Sequence, residues 1–220
     1  LGLGGNVARL AASGDAKYLK LQGIVEDAKR RAEGGWMRAR GTYQYFLANS
    51  DGNDLIILRP GGAELARFSF PRQPTGDQLC LADYVAPVGG DPDSVAMFVV
   101  SAGAGIRALS QELKERGEYV LSQTMQALAI ETAEAFAEKL HHDIRQDWGI
   151  PDSASMSMAD VHKARYQGIR VSFGYPACPN LADQETLFRL LAPGSIGVQL
   201  TDGFMMDPEA TVSALVFHHP

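Results

Sequence analysis

Cysteine is nearly missing from this chain: Cys80 and Cys178 are the two in 220 residues, too few for a disulfide framework. A reducing, cytoplasmic compartment is the expectation that follows. No apolar run approaches the roughly 20 residues a membrane helix needs. No basic stretch leading into an apolar one opens the sequence either, so a soluble protein with no membrane partner is expected. Cationic excess is lacking too. Lys and Arg number 20 against 26 Asp and Glu, a formal net charge of -6. A phosphate backbone would find no general attraction, which removes nucleic acid from the expected partners. The chain also carries no G-x-S-x-G, Walker or H-E-x-x-H motif. What is present, 45% apolar and 21% charged residues, suits one ordinary globular domain. The sequence opens at Leu1 rather than at methionine and stops at Pro220. It is therefore expected to be a piece of a longer polypeptide, incomplete at both ends.

Hydrophobic periodicity divides the chain. From Asn6 to Glu33 the apolar residues recur at helical spacing around a Gly14-Asp15 break, predicting two helices. Thr42 to Leu47, Leu55 to Leu58 and Leu65 to Phe70 read as strands joined at Ser50-Asp51-Gly52-Asn53 and Pro60-Gly61-Gly62, an antiparallel meander. The continuous apolar run Val95 to Val100 predicts a central strand, and Ile106 to Arg116 a helix. A long helix is predicted from Tyr119 to about Arg145, with Leu121, Met125, Leu128, Thr132, Ala135, Phe136, Leu140 and Ile144 as its apolar stripe. Trp148-Gly149-Ile150-Pro151 should end it. A short helix near Met158 to Ala164 precedes the irregular stretch Arg170 to Pro179. Asp183 is expected to cap a helix running to Leu191, and Ile196 to Leu200 and Thr211 to Phe217 to be closing strands. With no internal repeat or low-complexity linker, the economical fold is a single α+β domain.

Several motifs invite chemistry. Gly103-Ala104-Gly105-Ile106-Arg107-Ala108 matches G-x-G-x-x-A after a strand, but a long helix follows where a second parallel strand should stand. A glycine-rich strand-to-helix turn is the preferred reading. Glu138-Lys139-Leu140-His141 matches half of a di-iron E-x-x-H site. The second half is missing, so it reads as a solvated helix face. His218-His219 has no accompanying Cys or Asp at ligand spacing, and no metal site is expected. Cys178 is read as a buried small hydrophobe, with a nucleophile as the lesser alternative. The stretch Arg165 to Pro179 stands out: Arg170 lies four residues ahead of a Gly174-Tyr175-Pro176 turn. A guanidinium fork beside exposed backbone and an aromatic ring suits a carboxylate-bearing ligand with a flat heterocycle. The alternative is a packed loop whose arginine pairs with a nearby acid.

Arg170 to Pro179 resembles the Arg-x-x-x-Gly-Tyr-Pro-Ala-Cys-Pro signature of the activation domain of cobalamin-dependent methionine synthases. Other blocks are similar to the same family: Cys80-Leu81-Ala82-Asp83-Tyr84-Val85-Ala86-Pro87, Ala133-Glu134-Ala135-Phe136-Ala137-Glu138, and Leu200 to Pro208 with Val212-Ser213 and His219-Pro220. The resemblance implies a helical lead-in at 1–35 and an S-adenosylmethionine-binding domain at 36–220, built on a twisted antiparallel sheet with flanking helices. It also implies a role, supplying S-adenosylmethionine for the reductive methylation of cob(II)alamin. The cobalamin would sit on another domain of the same enzyme, and a flavodoxin-like protein or a reductase would donate the electron. The parent would be a methyltransferase, and this chain alone is not expected to form methionine. No catalytic acid or base is implied. Residue by residue, Arg170 would hold the ligand carboxylate, the backbone around Ser172, Gly174 and Tyr175 would meet the adenosyl part, and Glu134 would lie near the sulfonium. Ala164 stands where some members place an acid six residues before the arginine. A stand-alone S-adenosylmethionine- or nucleotide-binding protein using the Gly103 turn, and a module that only docks on a corrinoid protein, are the alternatives.

Overall fold

The computed structural model describes residues 10–12 and 14–218. The start of the predicted lead-in and the His219-Pro220 pair lie outside them. Helix α1 (Ala16–Arg31) begins where Asp15 accepts the Tyr18 N–H at 2.8 Å and ends on Lys29, Arg30 and Arg31, each end matching the helix dipole or its unpaired groups. The meander follows as β1 (Arg40–Asp51), β2 (Asp54–Leu58) and β3 (Glu64–Ser69), then β4 (Asp93–Ser101). Helices α2 (Ile106–Glu115) and α3 (Tyr119–Asp147) come next, then the short α4 (Met158–Val161) and the three-residue strand β5 (Ile169–Val171). Helix α5 (Asp183–Leu191), a two-strand hairpin of β6 (Gln199–Leu200) and β7 (Met206–Asp207), and β8 (Thr211–Phe217) complete the order.

Six strands form one antiparallel sheet in the order β3-β2-β1-β4-β8-β5. Strand alternation explains why β4 reads as an unbroken apolar run. Val95, Met97 and Val99 point into a core beneath α5, together with Leu187, Leu191, Leu215 and Phe217. Ala96, Phe98 and Val100 point into a second core with α2 and α3, together with Val212, Ala214 and Val216. Both faces of the sheet centre are thus buried, as helices on two sides require.

Three local expectations are corrected. The buried stripe of α3 runs through Ala129, Ala133 and Ala137 between Met125 and Ile144, whereas Ala135 is exposed and Leu128, Thr132 and Phe136 are only partly buried. Small side chains at i, i+4 spacing let the helix lie close on β4 and β8, and bulk at the flanks seals the edges. Asp183 is the first helical residue of α5 rather than its cap. Asn180 holds the entry turn instead, accepting the Ala182 N–H at 3.2 Å and donating to Asp183 at 2.8 Å. Ile196 belongs to a 3-10 turn, Pro193–Ile196, and Gly197 at φ +83° breaks any strand there, leaving β6 two residues long.

At the G-x-G-x-x-A turn, a Cβ on Gly103 would lie 2.6 Å from Cβ and 2.7 Å from Cγ of Pro208. Gly105 takes φ +79° at the N-cap of α2. Glycine is thus required at 103 by a close chain crossing. Gly103→Ala is expected to cost about 1 to 3 kcal/mol through overpacking, read as a lower urea midpoint. An unchanged midpoint would remove the packing explanation.

Candidate functional site

Beside the sheet edge, a cavity of about 970 Å³ opens between α3, the loop leading to α4, and the segment entering β5. That volume suits a small organic ligand. Arg170 reaches it from β5, where the chain pairs with β8 and sets Arg170 opposite Val216. Its side chain is 20% exposed, and its Nη2 donates to Glu138 Oε2 at 3.4 Å. The Tyr166 hydroxyl donates to the same oxygen at 3.5 Å. The expected nearby acid exists, and it lines the cavity beside the arginine.

Deeper in the wall lies a paired charge. Arg145 is fully buried in the last turns of α3 and binds Asp152 with two hydrogen bonds, Nε to Oδ1 at 2.9 Å and Nη2 to Oδ2 at 2.7 Å. His142 Nδ1 meets Asp152 Oδ2 at 2.7 Å. These bonds, Arg145 first, hold the Asp152 carboxyl below its usual range. The Arg145 guanidinium lies 3.8 Å from the centre of the Tyr166 ring, and His141 meets that ring edge-on at 5.1 Å. Burial, reinforced by the charges of Arg145 and Arg170, pushes the His141 imidazole down to about 3. Burial also raises the Tyr166 phenol.

The solvated-face reading of Glu138 to His141 is therefore corrected: Glu138 is partly buried against Arg170 and Tyr166, and His141 is fully buried. Only Lys139 of that motif points out, pairing with Asp143. Among the residues expected at a site, the structure brings Arg170 and Glu134 to one cavity, Glu134 on the exposed rim of α3. Ser172, Gly174 and Tyr175 lie on the turn beyond β5, outside those walls. That turn is closed by Gly174 N–H to Cys178 O and Cys178 N–H to Tyr175 O, both 2.8 Å. Gly174 has φ +91°, and Tyr175 is 65% exposed. Cys178 is buried beneath the turn, and burial pushes its thiol up to about 12, the wrong direction for a nucleophile. Arg145, Asp152, Tyr166 and His142 are wall residues that sequence reasoning did not single out. The helical spacing of Glu134, Glu138, His141 and Arg145, one polar stripe beside an alanine stripe, was the available signal.

Fold and cavity define a mixed α+β domain with a ligand-sized recess at the edge of an antiparallel sheet. The chain belongs to the family described as vitamin B12 dependent methionine synthase, activation domain, which it matches over residues 18–220. It is 34% identical over 192 residues to the methionine synthase of Mycobacterium tuberculosis (strain ATCC 25618 / H37Rv), an alignment covering 81% of this chain and 16% of that protein. Against the methionine synthase of Mycobacterium leprae (strain TN) the identity is 33% over 192 residues, with 81% and 16% covered. The chain thus spans about a sixth of the length of these relatives. Among solved structures, the MetH reactivation domain bound to AdoHcy superposes with a TM-score of 0.88 at 32% identity, covering 99% of this chain and 71% of that one. Among the described residues no helix is long and apolar enough to cross a membrane.

The buried neutral His141 makes stability depend on pH. In the unfolded chain an ordinary imidazole takes up its proton near pH 6.5, whereas in the fold it resists protonation until about 3. Stability therefore falls as pH drops from 6.5 toward 3, by up to about 1.4 kcal/mol per pH unit. His141→Gln removes this dependence. The wild-type advantage over the variant, followed by urea unfolding between pH 7 and 4, is expected to shrink with acidity, and a constant difference would contradict a buried neutral imidazole.

Proposed function

We propose that this chain is the activation domain of a cobalamin-dependent methionine synthase, binding S-adenosylmethionine in the cavity between α3 and β5. The observation that carries the reading is Arg170, a partly buried guanidinium at the cavity wall. Its likeness to a reactivation domain bound to AdoHcy supports the same assignment. A guanidinium fork suits the ligand's carboxylate. Glu134 on the rim lies where a carboxylate would favour the sulfonium charge. Ser172, Gly174 and Tyr175, on the exposed turn next to β5, would meet the adenosyl part if the ligand extends along the sheet edge beyond the cavity.

No Asp-x-His-x-x-Gly segment occurs in the 220 residues, which supports placing cobalamin on another domain of the same enzyme. When bound there and reduced by one electron, cobalamin supplies a cobalt nucleophile strong enough to take a methyl group from a sulfonium. The work left to this chain is orientation: Arg170 anchors one end of the ligand and Glu134 steadies the positive sulfur. Methyl transfer from a sulfonium to such a nucleophile releases no proton at the reacting atoms, so no general base is required of this chain. A flavodoxin-like protein or a reductase would donate the electron, and two reduced cysteines fit a cytoplasmic setting.

Arg170→Ala is expected to weaken S-adenosylmethionine binding roughly ten- to a hundredfold, the equivalent of about 1.5 to 3 kcal/mol for a charged hydrogen bond. Calorimetric titration with unchanged affinity would sink the assignment. Glu134→Gln keeps the shape and removes the charge. A loss of a few fold is expected for S-adenosylmethionine and a smaller one for S-adenosylhomocysteine, whose sulfur is uncharged. Equal losses would return Glu134 to an ordinary surface carboxylate.

A further inference from the structure

Beneath Arg170 lies a layer of side chains whose arrangement the binding motif does not explain. Glu138, His141 and Arg145 succeed one another at helical spacing on α3, and Tyr166 lies across them. The Tyr166 ring takes the Arg145 guanidinium against its face, meets His141 edge-on, and donates its hydroxyl to Glu138 Oε2. That oxygen also receives Arg170 Nη2. Arg145 is in turn fixed by the two bonds it donates to Asp152, directly after Pro151. The layer is balanced in charge, Arg145 and Arg170 against Asp152 and Glu138, with His141 neutral between them.

The free valences are informative. Arg170 Nη1, Glu138 Oε1, Arg145 Nη1 and both His141 nitrogens are buried without a hydrogen-bond partner among the described residues. The one side-chain contact that orients the Arg170 fork there ends on the oxygen it shares with Tyr166. A long side chain held by one contact takes its direction from whatever holds the acceptor.

We infer that Arg145 and Tyr166 are positioning residues for Arg170: the guanidinium clamped by Asp152 fixes the Tyr166 ring, the Tyr166 hydroxyl fixes the Glu138 carboxylate, and that carboxylate sets the direction in which Arg170 meets a ligand carboxylate. The inference rests on the reading of Arg170 given above. It names a specificity device, since only a ligand that carries a carboxylate senses the layer.

The test compares S-adenosylhomocysteine with 5′-methylthioadenosine, which keeps the nucleoside and thioether and lacks the amino-acid end. Tyr166→Phe keeps the ring and its stacking and removes the hydroxyl alone. It is expected to weaken S-adenosylhomocysteine by about three- to tenfold in calorimetric titration while leaving methylthioadenosine unchanged, and to add nothing in an Arg170→Ala background. Arg145→Met should show the same pattern; should it fail to fold, Tyr166→Phe carries the test. Equal losses for both ligands would mean a merely structural role and overturn the inference, as would a loss that persists in full beside Arg170→Ala. If Arg170→Ala weakens S-adenosylhomocysteine and Tyr166→Phe does not, the positioning role falls and the carboxylate reading stands. If Arg170→Ala changes nothing, the reading itself fails and takes the inference with it.

Discussion

The placement of β8 between β4 and β5 is the constraint on which the rest depends. Strand β5 is three residues long and borders no other strand, and so short a strand has no independent stability. It exists because Val216 and its neighbours offer a ladder, and Arg170 projects where it does because of its register with Val216. Strand β8 is itself held by seven registered pairs with β4 and by apolar side chains on both faces. The long helix α3 packs on the same two strands, which brings the polar stripe of Glu134, Glu138, His141 and Arg145 alongside Arg170. A rigid sheet centre thus fixes the distance between two elements that are far apart in the chain.

Burying Arg145 would be expensive if it were alone. An unpaired guanidinium in a low-dielectric wall costs several kcal/mol, and the bidentate Asp152 pair with the facing Tyr166 ring is what offsets that cost. Nothing comparable holds Glu134, which stays in solvent on the rim, so charge at the cavity mouth is adjustable and charge at its base is fixed. On the function proposed above, this division would anchor one end of a ligand firmly and leave the other open at the cavity mouth.

Much of the architecture was legible in the residues. Alternation and turn chemistry marked the meander from Thr42 to Phe70, and the run Val95 to Val100 announced a strand buried on both faces. The helix from Tyr119 was visible in its length, although its buried side was misjudged: hydrophobicity points to Phe136 and Leu128, while close approach to a sheet favours Ala129, Ala133 and Ala137. Arg170 was legible because it stands beside a distinctive turn and carries a recognisable chemistry. Its partner layer was not. Arg145 and Asp152 are separated by a helix end and a proline, and Tyr166 reaches Glu138 across 28 positions. Such pairings depend on where the backbone returns, which no local pattern states.

The strand order also dictates when the site can come into being as the chain is made. Strands β1 to β4 can pair as they emerge, since each finds a neighbour already synthesised. Between Ser101 and Thr211, however, one long edge of β4 waits for a partner more than a hundred residues downstream. Strand β5 and Arg170 are produced before the strand that will seat them. Long-range closure of this kind is intrinsically slow, so a half-made chain carries an exposed apolar β4 edge open to wrong partners. The ladder that seats Arg170 thus cannot be complete before Phe217 is available to pair with both Val95 and Ile169.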